Sequence, residues 1–165
     1  MNEILLDAFR HNTWATKRLI EACAAVPAAD LAGSVSGFGS LLATLNHLVV
    51  AGARYVARVD GGPPPQLDEA ESNDFRDLLA LAEETGARWQ QFLRAPVDGE
   101  RLVTLDAGAY ETHVVVVVVQ ALHHVSIHGE QICACLTALG IDPPDVQPWA
   151  LADETGRSRW LWPQE

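Results

Sequence analysis

Positive charge is scarce in this chain. One lysine, Lys17, and ten scattered arginines stand against 22 acidic residues, a formal net charge of -11. With no Lys/Arg cluster there is nothing to hold a phosphate backbone or an anionic lipid surface, which argues against nucleic-acid and membrane partners. Cysteine is nearly as sparse. Cys23, Cys133 and Cys135 are odd in number and form no Cys-x-x-Cys pair, so neither a disulfide framework nor a zinc knuckle is expected, and a reducing compartment fits. No apolar run approaches the ~20 residues of a membrane span. The segment Met1 to Asp7 carries acids where a secretory or transit peptide would carry bases, so a soluble, cytoplasmic protein is expected. Several reactive motifs are missing too. There is no Gly-x-Gly-x-x-Gly or phosphate loop for a nucleotide cofactor and no His-Glu-x-x-His protease pair. No histidine has a glutamate three residues before it, as di-iron carboxylate bundles require, and Ser126 lacks a nucleophile-elbow context.

What remains is helical patterning. At 165 residues the chain has the length of one ordinary domain, and a single domain over residues 1–165 is expected. Apolar residues recur at helical spacing from Asn2 to Val26, ending at Pro27. A second helix is expected from Ser40 to about Val59, closed by Gly61-Gly62 and the stiff run Pro63-Pro64-Pro65. Ser72 and Asn73 are cap candidates for a third helix carrying Phe75, Leu78, Leu79, Ala82, Gly86, Trp89 and Leu93, which stops at Pro96. The β-branched residues at Arg101 to Thr104 and after Tyr110 allow a short hairpin around Asp106-Ala107-Gly108. A fourth helix then begins between Thr112 and Val117 and runs to Gly140, because its apolar stretch far exceeds strand length. Ile141 to Glu165, with Trp149, Trp160 and Trp162, reads as an irregular tail lying across the bundle. The fold class expected is therefore all-α, a four-helix bundle.

Two of the helices differ from the others. Leu31 to Ala53 contains no charged residue and Thr112 to Ile141 contains only Glu130, so these two are expected as the inner pair or as a subunit interface. Both carry histidine. His124 and His128, four residues apart, project from one helix face and can grip one ion from adjacent turns. His47, on the other helix, shares a face with Ser40, Ala43, Thr44 and Ala51, small neighbours that leave space beside an imidazole. Three neutral imidazoles suit nickel, zinc, copper or iron and leave coordination positions open. Gln131 falls on the face of His124 and His128, placed to orient a ligand. Cys135 lies there as well, as a core residue or a fourth ligand. His11, His113 and His123 read as ordinary hydrogen-bonded or exposed histidines.

Asn12-Thr13-Trp14-Ala15, Leu45-Asn46-His47-Leu48, and His124-x-x-x-His128-Gly129-Glu130-Gln131-Ile132 followed by Leu139-Gly140 and Pro143-Pro144 together resemble the DinB/YfiT-like superfamily. The resemblance spans nearly the whole chain in the right order. It implies four helices with an unusual connection order, a homodimer, and one divalent metal per chain, often nickel or zinc, on His47, His124 and His128. It also implies a metal-dependent enzyme acting on a small molecule, either a thiol-dependent transferase using a low-molecular-weight thiol or a hydrolase. A non-catalytic bundle with a structural ion is the alternative. One position departs from the family's usual pattern, where an arginine often follows the last histidine: here Gly129 does, removing a positive group that would help hold an anionic substrate.

Overall fold

A computed structural model describes residues 3–35, 39–70, 74–105, 108–159 and 161. Helix α1 spans Glu3–Ala24, and a short helix, α2, Ala28–Ala32 follows Pro27. Strands β1 (Ser34–Val35) and β2 (Gly39–Ser40) pair antiparallel and lead into α3, Leu41–Asp60. Helix α4 is Phe75–Arg94. Strands β3 (Leu102–Leu105) and β4 (Tyr110–His113) form the expected hairpin, with Leu102 opposite His113 and Leu105 opposite Tyr110. Helix α5 is Val114–Ala138, and α6 is Pro148–Glu154.

Local chemistry sets the ends of these elements. The Ser40 hydroxyl accepts from the Ala43 N–H at the start of α3, and Gly61, at φ 72°, closes it in the left-handed conformation. At α4 the cap is Asp74, whose carboxylate accepts from the Arg76 N–H at 2.7 Å, and not Ser72 or Asn73, which lie outside the described residues. Helix α5 has no side-chain cap. The segment before its hairpin serves instead, Arg101 and Gly99 offering carbonyls to the N–H groups of Val114 and Val115. That support, and the burial of Val114, Val117 and Val118, explains why six consecutive valines fold as helix despite poor propensity.

The four long helices pack in a ring whose order is not that of the chain. Helix α1 packs on α4 and α5, and α3 packs on the same two, so α1 and α3, consecutive in sequence, face each other across the diagonal. The link through α2 and the β1–β2 ladder must therefore cross one end of the bundle. The interior divides into two apolar clusters. One gathers Leu19, Ile20, Leu41, Leu45, Leu78 and Ile132; the other gathers Leu6, Phe9, Val56, Trp89, Val114 and Val117. Phe9 and Trp89 stack with ring centroids 4.3 Å apart. Between the clusters, Asn12, Thr13, Thr16 and Thr85 line a small cavity of about 40 Å³.

Two expectations change. The segment after α5 is not wholly irregular: Pro148 opens α6, which lies along α1. It is tied there by His11 Nε2 donating to the Val146 carbonyl at 2.8 Å, by Arg157 on Asp7 at 2.7 Å, and by Trp14 and Arg18 on Glu154. Trp160 and Trp162 lie outside the described residues. Nor are α3 and α5 an enclosed inner pair, since each occupies one corner of the ring. Helix α5 leaves Val115, Val116, Val119 and Ile127 exposed on its outer flank.

Helices α1 and α4 approach closely because Gly86 has no side chain. A Cβ there would fall inside 3.0 Å of Thr13 Oγ1 and Cγ2 and 3.1 Å from Thr13 Cβ. Rotating Thr13 cannot relieve a clash with its own Cβ, so the helices would have to part. Gly86→Ala is therefore expected to destabilise the protein by about 1–2 kcal/mol in urea denaturation, overpacking outweighing the ~1 kcal/mol gained in helix propensity.

Candidate metal centre

Helix α3 supplies His47 and α5, packed beside it, supplies His124 and His128. The rings sit mutually edge to face with centroids 5.0 Å (His47–His124), 4.5 Å (His47–His128) and 4.5 Å (His124–His128) apart. One ring nitrogen from each lies within 4.8 Å of the other two. Sequence periodicity alone placed His124 and His128 on one face; the packing of α3 against α5 brings His47 to it.

Every ring also makes a hydrogen bond through one of its nitrogens. His47 Nδ1 donates to Glu69 Oε1 at 2.6 Å, His124 Nε2 to the Leu48 carbonyl at 3.2 Å, and His128 Nδ1 to Gln131 Oε1 at 2.6 Å. A carboxylate and a carbonyl can only accept, so the nitrogen facing each must carry the hydrogen. This leaves His47 Nε2, His124 Nδ1 and His128 Nε2 as the lone-pair atoms. Three imidazoles, each pinned by a hydrogen bond and each keeping one lone-pair nitrogen, are a donor set that fits a divalent transition ion. Gln131 has the orienting place expected of it.

Electrostatics favour a neutral His124. Burial, reinforced by the nearby His128, pushes the pKa of His124 down to about 4, so this ring keeps its lone pair at neutral pH. Burial works to raise the Glu69 carboxyl, but the hydrogen bond and charge from His47 and the charge and hydrogen bond of Arg54 prevail and hold it below its ordinary value. Arg54 Nη1 reaches Glu69 Oε2 at 2.6 Å. Tyr55 completes the rim, its ring 5.3 Å from that of His124 and its hydroxyl accepting from Gln120. His124 is buried, whereas His47 and His128 are half-buried and reachable from solvent.

The remaining histidines stay apart. His11 and His113 donate to the Val146 and Glu100 carbonyls, and His123 is exposed. Cys135 is fully buried in the cluster around Leu19 and Ile132, and burial raises its thiol pKa. Cys23, pushed up to about 12 by burial, belongs to the same cluster. A cavity of about 790 Å³ lies on the opposite flank of α5, against α1 and α6, and is lined by Asn12, Leu122, Ser126, Gly129 and Trp149 among others. None of the three clustered histidines borders it.

Residues 1–159 match the DinB family. The chain belongs to that family. No curated protein matches the sequence. The diagonal placement of α1 and α3 agrees with the connection order expected for a DinB-family bundle, and the resemblance first read from three short motifs extends over nearly all of this DinB-family chain.

Sequence reasoning missed Glu69, Arg54 and Tyr55. Arg54 was legible, since it follows His47 by seven residues and so falls on the same helix face. Glu69 was not, because it lies in the α3–α4 linker, where no periodicity indicates which way a side chain points.

The pKa of His124 makes a stability prediction for the metal-free protein. Its folded value lies below the ~6.5 of an unfolded chain, so as pH falls from about 6.5 to about 4 the unfolded state takes up a proton that the folded state refuses, and stability drops. Urea denaturation at pH 7 and pH 4.5 should show a loss of about 2–3 kcal/mol from this group. His124→Gln should lose correspondingly less over the same interval.

Proposed function

We propose that His47, His124 and His128 hold one divalent transition ion per chain, nickel or zinc, and that the protein is a metal-dependent enzyme acting on a small molecule, as a thiol-dependent transferase or a hydrolase. The observation that carries this reading is the clustering itself: one ring nitrogen from each of the three histidines lies within 4.8 Å of the others, and each ring is fixed by a hydrogen bond. A bound divalent ion supplies a Lewis acid able to lower the pKa of a coordinated thiol or water toward neutrality. The chain's own contribution is to fix the donors. His124 is buried and pinned to α3, while His47 and His128, on the accessible side, leave approach open to a small ligand. Three protein donors also leave the ion unsaturated, unlike a structural zinc closed by four.

Family membership supports the same reading. We further propose a single domain that acts in the cytoplasm as a homodimer. The exposed valines of α5 and Ile127 offer an apolar, nearly charge-free face through which two copies of net charge -11 can meet. Light scattering at micromolar concentration should give twice the chain mass, and Val119→Glu should halve it.

Elemental analysis of protein purified without an affinity tag should find close to one transition metal per chain. Saturating metal at a thousandfold excess over Kd should stabilise the fold by roughly 4 kcal/mol, a gain that His47→Ala abolishes. Cobalt-substituted protein titrated with small thiols should develop a sulfur-to-cobalt charge-transfer band that His124→Ala and His128→Ala lose. If metal stays bound but no thiol, azide or other small ligand perturbs the spectrum, the ion is structural and the protein a non-catalytic metal-binding bundle.

A further inference from the structure

Of the three acceptors that hold the histidines, one differs in kind. Leu48 offers a backbone carbonyl of α3 and Gln131 an amide one turn along α5, both neutral and built into the helices that carry the rings. Glu69 is charged and arrives from outside the helices, on the linker between α3 and α4. Its position is itself constructed. Leu67 packs against the apolar core, the Asp68 carboxylate accepts from the Ala70 N–H at 3.0 Å to turn the chain, and the Glu69 side chain between them reaches the ring. Arg54, two turns beyond His47, takes the second carboxylate oxygen, so Oε1 goes to the imidazole and Oε2 to the guanidinium. A carboxylate gripped at both oxygens has little rotational freedom left.

In water a free neutral histidine favours the hydrogen on Nε2, the tautomer that would set the lone pair of His47 against the Glu69 carboxylate. We propose that Glu69, clamped by Arg54, is a positioning residue that holds His47 in the Nδ1–H tautomer and so leaves Nε2 as its lone-pair atom. The inference rests on the reading of the three histidines as metal ligands, but the tautomer is a property of the metal-free chain. Through the same contact the linker is coupled to the site: whatever engages His47 Nε2 strengthens the Nδ1–H bond to Glu69 and tightens the segment that carries it.

The test uses the full-length chain labelled with ¹⁵N histidine, metal-free, at pH 8, with long-range ¹H–¹⁵N spectra to identify the protonated nitrogen of each ring. Wild type should show His47 as Nδ1–H. Glu69→Ala should shift His47 toward Nε2–H and leave His124 and His128 as they were; Glu69→Gln, whose amide oxygen still accepts, should largely restore the wild-type pattern. Glu83→Ala, which removes an exposed partner of Lys17 elsewhere on the surface, is the control and should change nothing. Titrated with zinc against a competing chelator, Glu69→Ala should bind 10- to 100-fold more weakly and Glu69→Gln should lose less. His47 spectra of Glu69→Ala that superimpose on wild type would overturn the inference. Should wild type bind no zinc while the tautomer still follows Glu69, the metal reading fails and the role of Glu69 stands.

Discussion

The contact between α3 and α5 is the constraint on which the site depends. From Leu41 to Ala53 in α3 and throughout α5 the only charged residue is Glu130, so these stretches can lie against each other without burying an ion. At the middle of their contact the buried His124 donates to the Leu48 carbonyl, tying a side chain of one helix to the backbone of the other. A slip of one residue between the helices would break this bond and rotate His47 out of reach of both partner rings. The bond thus sets the position of three histidines, two of which it never touches. Its loss would strip a buried polar ring of a hydrogen bond, at a cost of roughly 1–3 kcal/mol.

The division of the core into two clusters is consistent with that arrangement. A continuous seam of leucines through the middle of the bundle would leave no room for imidazoles on the α3–α5 edge. Instead Asn12, Thr13, Thr16 and Thr85 stand with apolar residues of both clusters around a small cavity between them.

How much of this was legible in the sequence follows from the range of the forces involved. The four helices, their approximate ends and the hairpin were readable because periodicity and turn chemistry act over a few residues. The three histidines were readable as a set, from helical spacing and flanking motifs. The Asp74 cap was displaced by two neighbours of similar capping power, Ser72 and Asn73, and sequence offers no means to choose among adjacent candidates. Helix α6 escaped notice because seven residues carry too little periodicity to announce themselves. The reading of α3 and α5 as an enclosed pair equated absence of charge with burial, whereas uncharged side chains such as Val115, Val116 and Val119 stand exposed. Glu69 was beyond reach for a different reason: a linker residue owes its direction to the anchoring of Leu67 in a core that exists only once the helices have met.

The clamp between α1 and the C-terminal segment carries a consequence for the order of folding. His11 with Val146, Trp14 with Glu154 and Asp7 with Arg157 are separated by 135, 140 and 150 residues. During synthesis the first helix is therefore exposed long before its last partners have left the ribosome, and its α4-facing side finds a mate sooner than its α6-facing side does. Contacts so distant in sequence demand that the intervening loops close first, so this seam should close late on the folding pathway and reopen early in unfolding. The flank that borders the 790 Å³ cavity is thus the one the bundle completes last.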